Sequence, residues 1–579
     1  MLTDAAAHDD AATPATDAGS PRDAQAPGGR PRWRTVLGWV TTALAGLLVL
    51  FALVAPNQIG HLTPGAFVRV PVEALVLAAL VLVLPARARR VVLVPVGVAL
   101  GLLTVLKILD MGFYEAFDRP FDPVLDWILL ADGVDFAMRS FGRVGGTATV
   151  VAAVALAAGV LVLMTLSVLR LSRRALGHRT GTIRTVAVLG VVWATCAALG
   201  VQIVPGVPVA ADSAAALAYD RVLQVNAGLR DQQAFAADAA VDAFRDTPGD
   251  QLLTGLRGKD VIVAFVESYG RVAVQDPELG PQVDAVLDDG TRRLRAAGYA
   301  SRSAFLTSPT FGGGSWLAHS TLLSGLWINN QQRDRNLLAS NRMTLNHAFR
   351  RAGWRTVGVM PAVTKPWPEG AFFGYDRLYT EPNLGYRGPL FNFASIPDQY
   401  TLSAFQRTER AKPHTPTMAE IVLLSSHTPW APLPRLIDWN SVGDGSVFEG
   451  MPASGDAPDV ALRDRTRVRT AYRQSIEYSV SALISYVQTY GDDNLVLVFL
   501  GDHQPATVVS GEGASRDVPV TIVARDPAVL DRISGWGWQD GLKPDPRAPV
   551  WRMDAFRDRF LTAFGPRAGP AASPSPSTR

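Results

Sequence analysis

The chain has 579 residues, 48 % of them hydrophobic and only 18 % charged, with a mean hydropathy of +0.14 and a formal net charge of +3. Soluble domains carry about 25 % charged residues, so the composition excludes a mainly disordered chain and argues against an ordinary cytosolic enzyme. No long Lys/Arg run interleaved with aromatics occurs, which excludes nucleic acid as the expected partner, and the single cysteine, Cys196, excludes a disulfide framework or a cysteine-rich zinc site within one chain.

The apolar excess is concentrated in the first third of the chain. Residues 1–33, rich in Ala, Asp, Pro and Gly, are expected to form a disordered cytoplasmic tail. Residues 34–208 then predict five transmembrane helices. The stretch Thr35–Ala55 is long enough to cross the roughly 30 Å hydrocarbon core, and further spans are expected near 66–86, 91–109, 147–169 and 185–205. The second contains Arg69 and Glu73, so its uninterrupted apolar run is short. The first is longer than the apolar region of a signal peptide and is followed by more spans, so it reads as a retained anchor.

Orientation follows from the basic residues of the short loops. Arg30, Arg32 and Arg34 precede span one, Arg87, Arg89 and Arg90 follow span two, and Arg170, Arg173, Arg174, Arg179 and Arg184 separate spans four and five. With five spans all three clusters fall on the cytoplasmic side, and the acidic segment from Asp110 to Asp135 falls outside. Everything after about Pro208 is then extracytoplasmic. The expectation is a multi-pass protein of the cell membrane with an external domain.

Residues 209–256 read as a juxtamembrane linker, Ala-rich with helical spacing, and 257–564 as a folded domain. Val261–Val266 is a fully apolar, β-branched run of the kind found in buried parallel strands. Similar runs lie at Ile421–Leu424, Leu495–Leu500 and Val518–Val523, with helical patterns at 281–297, 342–352 and 463–490. The alternation predicts an α/β domain with a mostly parallel sheet, in which ligands gather at the carboxyl ends of the strands. A long loop over 433–462 and a disordered tail over 565–579 complete the chain.

Three of those strand ends are chemically rich. The first continues as Glu267-Ser-Tyr-Gly270, the second as Ser425-Ser-His427-Thr-Pro429, and the third as Gly501-Asp502-His503-Gln-Pro505. Carboxylates and imidazoles in such positions suit Mn²⁺ or Zn²⁺, and Mg²⁺ less well. A fourth segment, Ser308-Pro-Thr-Phe-Gly-Gly-Gly-Ser315, has three glycines that let a ligand approach the backbone, and a hydroxyl at the start of a helix whose free N–H groups favour phosphate. Taken alone, the same residues read more readily as a flexible turn followed by an N-cap serine.

In order, VIVAFVESYG, FGGGSWLAHSTLLSG, LLSSHTPW and LVLVFLGDHQP resemble the motifs of the alkaline phosphatase/sulfatase superfamily. The resemblance is to its membrane-anchored, lipoteichoic acid synthase-like phosphoglycerol transferase branch. It implies one divalent metal, Mn²⁺ first with Zn²⁺ or Mg²⁺ as alternatives, held by Glu267, Asp502, His503 and the nucleophile. Aligning Leu323-Ser-Gly325 on the tail of the sulfatase motif selects Ser315 as the nucleophile over Thr310, Ser320 or Thr321. The Pro-Ser-Arg core of sulfatases is replaced by Leu317, Ala318 and His319, and Ser stands where the branch usually has Thr. The resemblance also implies that His427 and Trp367 contact the substrate, while His347 and His414 have no motif and read as surface or structural.

The implied function is transfer of a phosphoglycerol-type group from a phospholipid to an envelope glycan or glycolipid through a phospho-Ser315 intermediate. A hydrolase or phosphoethanolamine transferase using the same residues is the alternative from within the superfamily. A catalytically silent envelope assembly protein is the alternative outside enzymology, and the complete Glu, Ser, Asp, His set argues against it.

Overall fold

The computed structural model describes residues 32–204, 207–392 and 395–566. The two tails expected at 1–33 and 565–579 lie outside the described residues, apart from Arg32, Trp33, Gly565 and Pro566. Among the described residues, four helices are long and apolar enough to cross a membrane. They are α1 (Arg32–Val54), α3 (Ala86–Phe117), the part of α4 (Trp127–Gly177) that follows a kink at Gly142, and α5 (Arg179–Leu199). The segment expected as a span at 66–86 instead contains a 3₁₀ turn, Pro64–Phe67, and a helix, α2, of only 12 residues, Val72–Val83. At 1.5 Å per residue α2 is about 18 Å long. Pro71 before it and Pro85 after it, each without an N–H and with a fixed φ, set its limits.

Small residues bring the bundle together. A Cβ on Gly97 would lie 2.7 Å from Thr165 Cα, and one on Gly101 would lie 2.9 Å from the Leu161 side chain, so α3 and α4 touch almost backbone to backbone. Arg170 on α4 donates to Gly38 O (2.7 Å) and Thr42 Oγ1 (3.1 Å) on α1. Near the other end of α3, buried Lys107 donates to Ala52 O and Ala55 O at 2.8 and 2.7 Å, satisfying carbonyls left free where α1 stops. One turn on, buried Asp110 accepts from Asn57 Nδ2 (2.9 Å), Phe121 N (3.0 Å) and Arg221 of α6 (Ser213–Ala240). Helix α6 therefore leaves the bundle clamped to the end of α3.

The following domain is built on a nine-stranded sheet. Its strands are β1 (Asp260–Val266), β2 (Ala300–Thr307), β3 (Arg355–Met360), β4 (Arg377–Thr380), β5 (Thr417–Leu423), β6 (Leu495–Gly501), β7 (Asp517–Ala524), β8 (Gln539–Asp540) and β9 (Val550–Arg552). The order is β8-β2-β7-β6-β1-β5-β3-β4, with β9 also on β2. From β6 through β1, β5 and β3 to β4 every pairing is parallel. The central strands β1, β5 and β6 are buried along their whole length, as their unbroken apolar runs require. Flanking helices include α7 (Gly280–Ala296), α8 (Ser315–Ser324), α9 (Gln331–Leu338), α10 (Leu345–Arg351), α11 (Asp398–Phe405), α12 (Arg465–Tyr490) and α13 (Ala555–Ala563).

Two sequence expectations change. The run Val518–Val523 is a strand, but β7 is antiparallel to both β6 and β2. A parallel return needs a crossover, and the connection 502–516 holds only a four-residue helical turn, Thr507–Ser510. The segment 433–462 is not an open loop. It folds into short 3₁₀ turns whose Trp439, Val442 and Phe448 join the main core, and Trp439 Nε1 donates to Ser485 Oγ on α12 (2.8 Å).

A buried ion cluster fastens the segment after α6 to this domain. Arg557 on α13 pairs with Asp242 at 2.8 Å, with neither side chain exposed, and Arg342 approaches the same carboxylate at 3.4 Å. Removing one partner of such a pair leaves an uncompensated buried charge, which costs about 3–5 kcal/mol. Asp242→Ala is expected to lower unfolding stability by about that amount, read from the denaturant midpoint of the detergent-solubilised protein. A change below about 1 kcal/mol, the scale of an exposed pair, would show that this cluster does not hold the two parts together.

Candidate active site

Parallel register assembles the site. Gly501 of β6 lies opposite Val266 of β1, so the residues that follow the two strands, Asp502-His503 and Glu267, emerge side by side. All three are buried, with 0, 1 and 4 % exposure. One ligand atom from each lies within 4.8 Å of those of the other two. The third neighbour, β5, contributes Ser426, whose Oγ donates to Glu267 O at 2.6 Å.

Ser315 arrives from another direction, as the first residue of α8. Gly314 before it caps the helix in the left-handed region at φ +78°. The hydroxyl donates to Glu267 Oε2 at 3.0 Å and lies 3.2 Å from His503 Nε2. Thr310, Ser320 and Thr321 are engaged elsewhere: Thr310 Oγ1 lies 3.4 Å from Ser308 Oγ, Ser320 Oγ donates to Asp334, and Thr321 Oγ1 donates to Leu317 O. Of the four hydroxyls considered from sequence, the structure brings Ser315 to the carboxylate–imidazole cluster.

The donor set fits a divalent cation. Asp502 Oδ1 accepts from Ser268 N (2.7 Å) and His503 N (2.8 Å), whereas its Oδ2 is buried with no hydrogen-bond partner. A buried carboxylate oxygen without a partner is costly, and this one lies 3.7 Å from His503 Nε2. His503 Nδ1 lies 2.8 Å from Gln504 O, an acceptor that keeps a proton on Nδ1, so that Nε2 turns a lone pair toward the cluster once its own proton is lost. Ser268, strained at φ +56°, also donates through Oγ to Glu267 Oε1 at 3.0 Å.

Charge within the cluster is strongly coupled. Burial opposes ionisation of Glu267, but the hydrogen bond and positive charge of His503 hold its carboxyl well below the usual range. Burial and the neighbouring Glu267 charge push Asp502 upward. Burial alone lowers His503, yet the charges of Asp502 and Glu267 outweigh it and raise the imidazole to about 9.

The remaining sequence candidates stand at different distances from this cluster. His427 faces Glu267 closely enough for its charge to favour the carboxylate, and its Nδ1 lies 2.7 Å from Thr428 O. Trp367 packs on Gly370 and Phe373, with ring centroids 5.7 Å apart, as part of a partly buried aromatic group beside the core. His347 closes a capping box with Thr344, and His414 Nε2 lies 2.9 Å from Asp260 Oδ2, both structural roles.

Sequence reasoning missed two supports. Tyr472 on α12 donates to Ser268 O (2.9 Å) and receives Gly270 N (3.4 Å), steadying the turn after β1. His319, one helical turn after Ser315, stacks on Phe265 at 3.9 Å with Nδ1 3.5 Å from Glu420 Oε1. Burial holds this imidazole down at about 3, hence neutral. The i, i+4 spacing from the serine was the available signal.

The glycines before Ser315 have a different reason from the one expected. A Cβ on Gly312, at φ +68°, would fall 1.6 Å from Ala116 O, and one on Gly313 would fall 2.9 Å from Phe117. The end of α3 approaches this backbone closely. The same helix end accepts Thr507 Oγ1 at Glu115 O (2.7 Å), so the segment after His503 rests on it as well.

The α/β domain thus brings a serine at a helix start against two carboxylates and a histidine at parallel strand ends, a set able to hold a divalent cation beside a hydroxyl. Residues 274–518 match the Sulfatase family model, so this part of the chain is a sulfatase-like domain. The match spans Ser315, Asp502 and His503 and begins just after Glu267. No curated protein sequence matches the chain.

Among solved structures, it is similar to the lipoteichoic acid synthase LtaP from Listeria monocytogenes (14 % identity, 55 % of this chain and 74 % of that one, TM-score 0.36). It is also similar to the periplasmic domain of EcEptC from Escherichia coli (13 %, 53 % and 82 %, 0.35). A third is the Streptococcus pyogenes phosphoglycerol transferase GacH in complex with sn-glycerol-1-phosphate (13 %, 58 % and 90 %, 0.32).

With His503 raised to about 9, the metal-free protein holds a proton on the imidazole at neutral pH, and a cation must displace it. Apparent metal affinity is therefore expected to rise with pH up to about 9 and to level off above it, by at most about tenfold per unit. Mn²⁺ titration calorimetry in buffers of different ionisation enthalpy checks both the slope and the proton release. A pH-independent affinity would place His503 outside the ligand set.

Proposed function

We propose that the protein is a membrane-anchored, metal-dependent transferase that moves a phosphoglycerol-type group from a phospholipid to a cell-envelope glycan or glycolipid. The observation that carries this reading is the Ser315 hydroxyl, held at a helix start within 3.0 Å of Glu267 and 3.2 Å of His503, beside the end of a membrane helix.

The domain division at 34, 208, 256 and 564 belongs to the proposal, as does a fifth membrane crossing. Contacts of Gly38 with Arg170, Gly97 with Thr165 and Lys107 with Ala52 support α1 and α3 running parallel, with α4 opposed. Residues 55–85 must then return across the bundle. Arg179 reaching Leu82 O (3.4 Å) and Val70 pairing with Ala210 set the two ends of that return against the two ends of α5. In this reading the three arginine clusters lie on one side and the sulfatase-like domain on the other, outside the cell.

Glu267, Asp502, His503 and Ser315 would hold a divalent cation, Mn²⁺ first for this mixed oxygen–nitrogen set, which would supply Lewis-acid charge and lower the hydroxyl pKa. Glu267 keeps its negative charge and orients Ser315 Oγ through the 3.0 Å hydrogen bond. The free N–H groups at the start of α8 favour the oxygens of the phosphoryl group. Ser315 Oγ, having given up its proton to solvent, attacks phosphorus in line; the diacylglycerol oxygen leaves and takes a proton from His427, which recovers one from the acceptor hydroxyl in the second step. An acceptor hydroxyl then attacks phospho-Ser315 and restores the serine, while Trp367 packs against the transferred glycerol.

Phosphatidylglycerol bearing a fluorescent acyl chain, incubated with the full-length protein and Mn²⁺, is expected to release labelled diacylglycerol. Ser315→Ala should lower release by about 10³-fold or more, the scale for loss of a catalytic nucleophile, and a chelator should abolish it. Equal release by Ser315→Ala would remove the nucleophile assignment. Release from phosphatidylethanolamine alone would replace phosphoglycerol with phosphoethanolamine.

A further inference from the structure

The segment that follows His427 forms one wall of a cavity of about 550 Å³. That volume falls within the roughly 300–1,000 Å³ of pockets that take a whole small ligand. Three parts of the chain line it: residues 430–433 with Arg435, the turn 454–456, and side chains from 466–474 on the first turns of α12. None of these residues has a part in the first half of the reaction.

Three contacts fix where the cavity lies. Trp430 N donates to His427 O at 3.0 Å, the bond of a tight turn whose ends lie within about 7 Å of each other. The Trp430 ring meets Tyr472 edge-on, with centroids 5.8 Å apart. Tyr472 in turn donates to the carbonyl of Ser268, the neighbour of Glu267, at 2.9 Å. Helix α12 leads into β6 through 491–494 alone, so it runs back along that strand. Its first turns therefore stand at the carboxyl end of the sheet, with Asp502 and His503. Trp430 itself is 2 % exposed and held at φ +64°, a conformation that a bulky side chain adopts only under constraint. The wall nearest His427 is thus set before any ligand arrives.

The lining has a definite chemistry. Arg467 lies 3.9 Å from Asp456 and 3.4 Å from Asp464. With Arg435, two guanidiniums meet two carboxylates, which leaves no net charge to select an anion. The Thr466 hydroxyl and the Gln474 amide make no hydrogen bond among the described residues, and Thr470 Oγ1 donates to Thr466 O at 2.9 Å while keeping its lone pairs. Pro432 and Leu433, both half-buried, add apolar surface beside these groups. A neutral sugar matches this mixture, because its ring carries hydroxyls at the rim and C–H groups on its faces.

We infer that this cavity holds sugar units of a neutral acceptor glycan, next to the unit whose reacting hydroxyl lies at His427. The reacting atoms stay outside the cavity, at Ser315 and His427, and the cavity holds the chain that presents them. The inference rests on the transferase reading of the preceding section and gives its acceptor a place. It also gives the folded segment 433–462 a function as one side of the acceptor site.

The test uses full-length Ser315→Ala protein, which cannot turn over, and photoactivatable tetrasaccharides of glucose, mannose, galactose and N-acetylglucosamine. Cross-links are mapped by mass spectrometry. At least one of the four is expected to label peptides covering 430–435 and 466–474, and its monosaccharide should compete at least about tenfold less well. Thr470→Trp, a bulky residue at an exposed helix position facing the cavity, should reduce that labelling at least about tenfold. Thr470→Ser should retain it and controls for misfolding.

No labelling of these peptides by any of the four, labelling confined to other peptides, or undiminished labelling of Thr470→Trp would each overturn the assignment. Labelling by a tetrasaccharide of glucuronic acid and by none of the neutral ones would make this an anion site and also overturn it. A wild-type protein that releases diacylglycerol while its Ser315→Ala form fails to label here keeps the transferase reading and loses this one; labelling here by a protein that releases none keeps the glycan site and loses the transferase reading.

Discussion

Two carboxylates and an imidazole are buried against each other at the ends of adjacent parallel strands, and one carboxylate oxygen, Asp502 Oδ2, has no hydrogen-bond partner. Left alone, such a cluster is electrostatically unfavourable, because burial penalises each charge and the two acids repel. The rest of the site is arranged around that constraint. Ser268 accepts a positive φ so that its N–H and Oγ serve both acids, Tyr472 steadies that turn, and Ser426 holds the Glu267 carbonyl. A cation site of this kind is stable only if strands β1, β5 and β6 stay in register, and their wholly buried apolar faces keep them so.

The second organising feature is the contact between membrane and catalytic parts. The last turn of α3 lies against Gly312 and Gly313 on one catalytic segment and accepts Thr507 from the other. Gly312 N also donates to Gln504 O at 2.9 Å, which ties the two segments to each other. Lys107, Asp110 and Arg221 fix α1, α3 and α6 at the same end of the bundle. The position of Ser315 is therefore transmitted from a membrane helix through backbone contacts, which deform less than side chains.

Much of the site could be read before folding was known. Glu267, Ser315, Asp502 and His503 stood at motif positions, and the structure brings all four together. The strands carrying them were visible as unbroken apolar runs. Strand β2 was not, because its polar Ser301, Arg302 and Ser303 interrupt the run and face neighbours supplied from far along the chain. The antiparallel direction of β7 was equally hidden, since an apolar run carries no sign of which way it runs. The short helix α2 came from an interrupted hydropathy signal, and prolines at both ends decided its length.

What the sequence by itself determined is local: which segments are apolar enough to enter a membrane or a sheet interior, and which reactive side chains follow the strands. These depend on side-chain hydrophobicity and on spacing along the chain. Only the tertiary structure decided that Gly312 and Gly313 lie against the end of α3, that Asp502 Oδ2 is left without a partner, and that Arg119 and Arg516 share one cavity with the flanks of Ser315. Each of these joins residues separated by scores to hundreds of positions. No local pattern encodes such a meeting, because it is set by how whole elements pack.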